Sequence, residues 1–201
     1  MELLKQKIRE EGKILSSEIL KVDSFLNHQI DPMLMQEMGR EFARRFQGEK
    51  ITKVLTLEAS GIAIAIMTAL ALQVPVVFAK KKRPSTMSGE AYFGRVHSFT
   101  KQEDVDIMVS ATYLNQNDRV LIIDDFLATG EATRGMIEIV RQANAYLAGV
   151  GIVIEKAFQS GGQALREAGV RVESLARITK LENGKVYFEE SEREVDEEGT
   201  K

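Results

Sequence analysis

The residues most suited to chemistry in this sequence are two adjacent carboxylates, Asp124 and Asp125. They follow an unbroken apolar run, Val120 to Ile123, which is rich in β-branched residues and predicts a central strand buried on both faces. Small and hydroxylated residues come next, and a helical pattern begins near Met136. This order predicts a strand, a tight loop and a helix start, with both acids at the carboxyl end of the strand.

The predicted loop is suited to binding an anion. It consists of Ala128, Thr129, Gly130, Glu131, Ala132 and Thr133. Backbone N–H groups converge at such a junction, and the positive end of the helix dipole points at the ligand. The dipole contributes about 0.3–1 kcal/mol at an exposed site, whereas each hydrogen bond to a charged group contributes about 1.5–3 kcal/mol. We therefore expect the loop amides and the two threonine hydroxyls to outweigh the dipole.

The acids beside the loop narrow the choice of ligand. Two carboxylates would repel a phosphate unless a metal ion or a pair of hydroxyl donors lay between them. A ribose 5-phosphate meets this condition, because its phosphate would lie in the loop while its 2′ and 3′ hydroxyls face the acids. The alternative is an ordinary turn between strand and helix in which an acid caps the helix.

The stretch Val120 to Gly130 resembles the phosphoribosyl pyrophosphate (PRPP) signature of the type I phosphoribosyltransferases, in which an apolar strand precedes two acids and a Thr-Gly loop. Other stretches resemble the bacterial xanthine phosphoribosyltransferases of that family, so that the resemblance covers residues 1–188. It implies an α/β fold with a mostly parallel central sheet flanked by helices. It also implies an N-terminal hood over the base near residues 1–30 and a flexible hood loop within residues 80–110.

The resemblance implies a transferase reaction. The 5-phosphoribosyl group of PRPP passes to xanthine in purine salvage, and the products are xanthosine 5′-monophosphate and pyrophosphate. Asp124 and Asp125 would be the catalytic residues, and residues 128–133 would bind the 5-phosphate of PRPP. Mg²⁺ is implied as well, held mainly by PRPP rather than by protein side chains. A homodimer is expected from the family.

A second strand–loop–helix junction precedes the first one along the chain. Ile51 to Leu57 predicts a strand, Glu58 to Gly61 a loop, and the following apolar residues to Leu72 a helix. With the next apolar run, residues 51–79 predict a βαβ unit. The resemblance implies that Ala59, Ser60 and Gly61 bind the pyrophosphate of PRPP. From the residues alone, a capped helix start is an equal alternative.

A basic stretch, residues 80–90, follows the βαβ unit. Charge runs are usually solvated surface. The resemblance implies instead a loop that closes over the substrates, with a basic residue that reaches the pyrophosphate, and Lys80 and Lys81 are the candidates. Closure would exclude water from a reactive intermediate. Tyr92 to Phe99 and Val105 to Val109 then predict an antiparallel pair of strands.

Four residues are candidates for contacts with the base. The segment Leu20 to Gln29 has no clear period and by spacing alone predicts a loop, but the resemblance implies base contacts at Leu20 and Asn27, with an ordinary surface asparagine as the alternative. Lys156 follows a predicted buried strand, Leu147 to Ile154, where a lysine needs an anionic or carbonyl partner. The resemblance places it on an exocyclic oxygen of the purine. Phe158 would stack on the base or belong to the core.

Composition limits the number of domains, the binding partners and the location that the chain can have. The chain has 201 residues, a formal net charge of −3 and no cysteine. These values predict one domain over residues 1–188 and argue against non-specific nucleic-acid binding, disulfides and a Cys-based metal site. The longest apolar stretch, Gly61 to Leu72, is too short to span a membrane. With no signal-peptide pattern, we expect a cytoplasmic protein. Residues 189–201 form an acidic tail that we predict to be disordered.

Near the C-terminus, the pattern predicts two strands, Val170 to Leu175 and Ala176 to Lys180, and then a hairpin at Asn183 and Gly184. Three alternative functions stay open. The base could be guanine or hypoxanthine, since Lys156 would contact the 6-oxo group they share with xanthine. The chain could be a PRPP-sensing regulator without turnover. A nucleotide-hydrolysing enzyme is disfavoured, because the sequence has no G-x-x-x-x-G-K-[ST] loop.

Overall fold

The computed structural model of the protein describes residues 1–81, 89–98 and 103–189. The elements in chain order are α1 (Glu2–Glu11), β1 (Lys13–Ile14), β2 (Leu20–Lys21), a π-helical turn (Asp23–Asn27), α2 (Pro32–Arg45), β3 (Lys53–Leu57), α3 (Gly61–Leu72), β4 (Val76–Ala79), β5 (Ala91–Ser98), β6 (Glu103–Ser110), β7 (Arg119–Leu127), α4 (Glu131–Gln142), β8 (Tyr146–Lys156), α5 (Gly161–Glu167), β9 (Val172–Glu182) and β10 (Lys185–Phe188). None of the helices in these described ranges is both long and apolar enough to cross a membrane.

The central sheet has the strand order β10-β9-β8-β7-β3-β4, and all of its strands are parallel except β10. The chain extends the sheet in one direction from β3 to β4 and in the other from β7 through β8 to β9. The order therefore reverses between β3 and β7. Such a switch point opens a crevice at the carboxyl ends of the two strands, where ligands bind in open α/β sheets.

The strand pairings show where the crevice begins. The pairing of β3 with β7 reaches only to Leu55 and Ile122, whereas the pairing of β7 with β8 continues to Leu127 and Glu155. The carboxyl-terminal part of β7 therefore has a neighbour on one side only. Both predicted acids lie in this part of the strand.

Both faces of β7 are buried, as its apolar run predicts. Leu121 and Ile123 belong to the core on the side of α1, α2 and α3, and Val120 and Ile122 belong to the core on the side of α4. The strands β5 and β6 form a separate antiparallel pair, with Tyr92 opposite Val109, and they pack against α4. The predicted antiparallel pair is confirmed over the described residues. Phe99 lies outside them.

The starts of α2 and α3 follow the local sequence signals closely, whereas α4 begins at Glu131, five residues before the apolar pattern at Met136, so Glu131, Ala132 and Thr133 are helical rather than part of the loop. The carboxylate of Asp31 accepts hydrogen bonds from the backbone N–H groups of Met33 and Leu34, both at 3.1 Å, so it caps α2 ahead of Pro32. The bounds of α3 agree with the prediction at both ends. The hairpin at Asn183 and Gly184 is also confirmed, and both residues have positive φ.

The ends of the strands were predicted less well than the starts of α2 and α3. β7 runs four residues past the apolar run that predicts it and β8 runs two residues past, so the two acids lie inside β7 and Lys156 is the last residue of β8. The prediction of two strands over residues 170–180 was wrong, because β9 pairs without interruption with β8 from Val172 to Ile178. Glu189, which the sequence assigns to the tail, is held by its backbone N–H to the carbonyl of Arg177 at 2.9 Å.

Candidate active site

The two acids of β7 lie in the crevice with little exposure, 5% for Asp124 and 7% for Asp125. The backbone N–H of Asp125 donates to Oδ1 of Asp124 at 3.0 Å, and Nδ2 of Asn27 donates to Oδ2 of Asp125 at 3.0 Å. Each carboxyl group therefore has one oxygen bound by the protein. The two carboxyl groups can hydrogen-bond each other when one of them is protonated, and no other donor among the described residues reaches their two remaining oxygens. When both acids are ionised, two acceptors remain, as many as a ribose diol has hydroxyls.

The closeness of the acids affects their protonation. Burial raises the pKa of Asp124 well above its ordinary value, and the neighbouring charge of Asp125 raises it further. The ammonium group of Lys81 acts in the opposite direction. The pair therefore keeps a proton to a higher pH than two separate carboxylates would.

The loop from Glu58 to Gly61 packs directly on the acids. A Cβ atom on Gly61 would lie 2.2 Å from the hydroxyl of Thr56 and 3.0 Å from Oδ1 of Asp124. Only a glycine allows α3 to begin so close to β7. The hydroxyl of Thr56 is buried and has no hydrogen-bond partner within the described part of the chain. Thr56 carries no recognisable sequence signal, and the sequence analysis missed it.

The first turn of α3 does not support the capped-helix alternative. Ser60 occupies the N-cap position, but its hydroxyl makes no capping hydrogen bond. The same holds for α4, whose N-cap is Gly130 in a left-handed conformation, with φ 86°. The acids lie well before that position in β7, so the alternative of an acidic helix cap at this turn is wrong.

The beginning of the basic stretch contacts the loop from Glu58 to Gly61. The backbone N–H of Lys81 donates to Oε1 of Glu58 at 2.8 Å. The ammonium of Lys80 lies 5.5 Å from the centre of the Phe78 ring, and its backbone pairs with Met108. Because the charge of Lys81 acts on Asp124, Lys81 is the better placed of the two candidates. Residues 82–88 of the basic stretch lie outside the described residues.

The loop before α4 is held by two contacts that the sequence analysis missed. Nη2 of Arg134 donates to the carbonyl of Thr129 at 2.7 Å, and the guanidinium also pairs with Glu131. The backbone N–H of Gly161, at the start of α5, donates to the carbonyl of Ala128 at 3.0 Å. Arg134 lies four residues past Gly130, on α4, so helical spacing could have indicated it, whereas the contact of Gly161 depends on the tertiary fold.

The predicted base contacts lie at the carboxyl ends of β7 and β8. The ammonium of Lys156 donates to the carbonyl of Glu18 at 2.7 Å and lies 5.8 Å from the centre of the Phe126 ring. Burial lowers the pKa of Lys156, while the charge of Glu18 opposes this shift. Asn27 contacts Asp125, as described above. The N-terminal segment that contains Glu18 and Asn27 therefore covers this edge of the sheet.

The other two predicted base residues lie in β2 and just after the end of β8. Leu20 is buried at the end of the short β1–β2 pair, against Gly12. Phe158 is 36% exposed, so the alternative that it belongs to the core is wrong. It lines a cavity of about 510 Å³ between the segment Ile14 to Ser17 and the β9–β10 turn. Over the described ranges, no group of three or more His, Cys, Asp or Glu side chains could hold a metal ion.

A comparison with the sequence models of protein families shows to which family the chain belongs. Residues 27–171 match the family model of the phosphoribosyl transferase domain. This chain belongs to the phosphoribosyltransferase family. The matched region contains the acids, both predicted phosphate loops and Lys156. Residues 1–26 precede the match.

Curated relatives cover nearly the whole chain. The xanthine phosphoribosyltransferase of Moorella thermoacetica is 66% identical over 188 residues, which are 94% of this chain and 96% of the relative. The xanthine phosphoribosyltransferase of a Bacillus cereus strain is 58% identical over 192 residues, which are 96% of this chain and 98% of the relative. The resemblance to this branch of the family is therefore confirmed.

Solved structures confirm the fold class. The adenine phosphoribosyltransferase of Trypanosoma brucei, in complex with AMP, pyrophosphate and ribose-5-phosphate, has a TM-score of 0.72 and 22% identity, with 87% of this chain and 79% of that chain covered. The adenine phosphoribosyltransferase of Rhodothermus marinus has a TM-score of 0.70 and 22% identity, covering 88% and 97%. Both share the α/β fold with a mostly parallel sheet flanked by helices.

Proposed function

We propose that this phosphoribosyltransferase joins xanthine to PRPP and releases xanthosine 5′-monophosphate and pyrophosphate. The observation that carries the proposal is the 66% identity, over 94% of the chain, to a protein named xanthine phosphoribosyltransferase. The crevice beside β7 supports it, because an acid pair and two glycine-containing loops meet there. The direct test is pyrophosphate release from PRPP and magnesium with a panel of bases.

In this proposal, the acid pair binds the ribose. The two oxygens of Asp124 and Asp125 that have no described donor accept hydrogen bonds from the 2′ and 3′ hydroxyls. The 5-phosphate lies against residues 128–133, which are the loop before α4 and the first turn of that helix, where the first amides of α4 are available as donors. Arg134 adds positive charge on the same turn of helix. Because the acids and the loop are joined by two residues of strand, the sugar and its phosphate are held in one orientation.

The pyrophosphate lies on the other side of the crevice. Ala59, Ser60 and Gly61 offer the first amides of α3, and Lys81 offers an ammonium group, with Lys80 as the second candidate. Mg²⁺, when bound with PRPP, neutralises the charge of the leaving pyrophosphate. In the proposal, this ion is held mainly by PRPP rather than by protein side chains.

The chemistry at C1 needs little covalent help from the protein. The bond from C1 to the pyrophosphate oxygen breaks, a ring nitrogen of the purine forms the new bond to C1, and the proton of that nitrogen is released. The sugar passes through an oxocarbenium-like state, whose positive charge the acid pair stabilises electrostatically. Holding both reactants in line supplies a large part of the rate enhancement. Closure of the hood loop excludes the water that would otherwise hydrolyse the sugar cation.

The base lies between the N-terminal segment and the ends of β7 and β8. Lys156 donates a hydrogen bond to an exocyclic oxygen and stabilises negative charge on the purine, so an oxo-purine is preferred to adenine. Asn27 contacts the polar edge of the base, and Leu20 and Phe158 supply apolar surface. Guanine and hypoxanthine share the 6-oxo group, so they are the competing substrates. A regulator that binds PRPP without turnover is the competing function.

The proposal includes a homodimer with its catalytic unit in residues 1–188, and a cytoplasmic location. Support for the dimer comes from α3, which is apolar on all sides. Its outer residues Ile66 and Leu70 are 48% and 64% exposed, and Phe78 on the edge strand β4 is 38% exposed. Surface of this kind is typical of an interface between subunits. Light scattering of the purified protein tests this point.

A further inference from the structure

One hydrogen bond joins the N-terminal segment to the ribose acids. Nδ2 of Asn27 donates to Oδ2 of Asp125 at 3.0 Å, across 98 residues of sequence. Asn27 is exposed and Asp125 is buried, so the asparagine side chain reaches down from the surface into the crevice. The companion contact from Lys156 to the carbonyl of Glu18 fixes the same segment to β8. The segment is therefore held at two points.

The contact with Asp125 also decides which way the amide of Asn27 faces. Oδ2 of Asp125 accepts the hydrogen bond in this contact, and an asparagine amide has one accepting and one donating end. The donating end must therefore face Asp125, and Oδ1 is directed elsewhere. In residues 1–81, 89–98 and 103–189, no donor reaches Oδ1 of Asn27. The side chain thus presents a fixed acceptor without a protein partner.

We propose that Asp125 is a positioning residue for base selection, because it holds Asn27 with Oδ1 as an acceptor for an N–H group of the purine. The inference rests on the proposed function, in which Asn27 contacts the base. Lys156 presents a donor at the end of the adjacent strand. Together they form a donor and an acceptor in fixed order, set by the protein before the base arrives.

This order matches an oxo-purine and opposes adenine. The edge of a 6-oxopurine presents a carbonyl oxygen and then an N–H group, for which the ammonium of Lys156 and Oδ1 of Asn27 are complementary. Adenine presents an amino group and then an unprotonated nitrogen. A donor would then face a donor at Lys156, and an acceptor would face an acceptor at Asn27. Sites built to hydrogen-bond a substrate N–H discriminate strongly against analogues that lack it. The ribose acid would therefore contribute to the choice of base.

The test compares two neighbouring acids. The inhibition constant of adenine, measured competitively against xanthine, is divided by the KM of xanthine for the wild type, Asp125→Asn and Asp124→Asn. In Asp125→Asn the new amide at position 125 can either donate or accept, so the side-chain amide of Asn27 can flip its two ends. The ratio of the adenine inhibition constant to the xanthine KM should then fall by about tenfold, the value of one hydrogen bond to a charged group. Asp124→Asn is the matched control, since Asp124 does not contact Asn27. It lowers turnover but leaves the ratio within about twofold of wild type.

A second variant keeps the proposal testable if Asp125→Asn does not fold. Asn27→Ala changes an exposed residue, removes the acceptor and lowers the same ratio by a similar factor. A purely structural contact would lower the melting temperature of both variants and leave the ratio unchanged, and that result would overturn the inference. Absence of xanthine turnover in the wild type would instead overturn the proposed function, so the two failures are distinguishable.

Discussion

The backbone N–H of Gly161 donates to the carbonyl of Ala128 at 3.0 Å, so the start of α5 braces the loop that precedes α4. The approach is close enough to require glycine. A Cβ atom at position 161 would lie 2.4 Å from that carbonyl oxygen and 2.6 Å from the amide nitrogen of Gly130. The loop proposed to hold the 5-phosphate is therefore shaped by a residue from another part of the chain.

Replacing Gly161 by alanine should displace this loop. The methyl group forces the carbonyl of Ala128 and the amide of Gly130 to move, so at least one hydrogen bond to the phosphate weakens. We expect the KM of PRPP to rise by about tenfold or more, the value of one hydrogen bond to a charged group. Steady-state kinetics with PRPP varied and xanthine saturating measure this change.

Gly169→Ala is the matched control for this variant. Gly169 has φ +80° and open space around it, so alanine is strained there but displaces nothing. It should cost about 1 kcal/mol of stability and leave the KM of PRPP unchanged. If both variants raise that KM equally, the loop is sensitive to general loss of stability and the bracing role of Gly161 is refuted.

Replacing Asp124 and Asp125 together by asparagine should remove most turnover. Two charged acceptors for the ribose hydroxyls and the stabilisation of the sugar cation are lost, so kcat/KM for PRPP should fall by at least about a hundredfold. Asp118→Asn is the control. Asp118 is buried directly before the start of β7, away from the crevice, and pairs with Lys53 at 3.0 Å, so its loss lowers stability rather than PRPP use. Wild-type kinetics in the folded double variant would contradict the assignment.

Replacing Lys156 by methionine should affect the base more than PRPP. Methionine keeps the length and apolar contacts of the side chain but removes the donor to the exocyclic oxygen. We expect the KM of xanthine to rise by about tenfold to a hundredfold, while the KM of PRPP stays within about twofold. Lys180→Met, which removes an exposed lysine paired with Glu182, should change neither value. A larger effect on PRPP than on xanthine would place Lys156 outside the base site.

Glu155 should make stability depend on pH. It is 1% exposed and accepts hydrogen bonds from Arg166 at 2.7 and 2.8 Å and from Ser174, with Arg177 nearby. Burial alone would raise its pKa, but these partners outweigh burial and lower it. A carboxylate whose pKa is lowered by folding stabilises the protein above its unfolded pKa, about 4.3, and loses this contribution as pH falls through the folded pKa.

Glu155→Gln should therefore lower the free energy of unfolding at pH 7 by about 1–3 kcal/mol, and the difference from wild type should shrink below about pH 4. Urea denaturation at pH 7 and at several acidic pH values measures it. Glu173→Gln, at a more exposed ion pair with Arg171, should change stability by less than about 1 kcal/mol. A difference from wild type that stays constant from pH 7 to pH 3 would show that the charge of Glu155 is not responsible.

The sequence predicted those parts of the site that are contiguous in the chain. The apolar run before Asp124, the loop after Leu127 and the cap of α2 at Asp31 all depend on local signals, and the structure has each of them. The contacts of Asn27 with Asp125 and of Gly161 with Ala128 join distant segments. No spacing rule predicts such pairs, because they depend on how the crevice closes.

The prediction of strand ends failed for a related physical reason. Glu155 and Lys156 are charged, so the apolar run that predicts β8 stops before them, yet β8 continues because Glu155 pairs with Arg177 of β9 and Lys156 donates to the carbonyl of Glu18. Ser174 and Arg177 contact Glu155 from β9. Hydrophobic periodicity cannot distinguish a buried charge with partners from the start of a loop.

The central claim is tested most directly by pyrophosphate release from PRPP and magnesium with xanthine, guanine, hypoxanthine, adenine or orotate as the base. We predict turnover with xanthine at the highest kcat/KM and very little with adenine. Turnover led by another base would preserve the PRPP site and contradict the base assignment at Asn27 and Lys156. Binding of PRPP without turnover on any base would contradict the enzymatic function and favour a regulator.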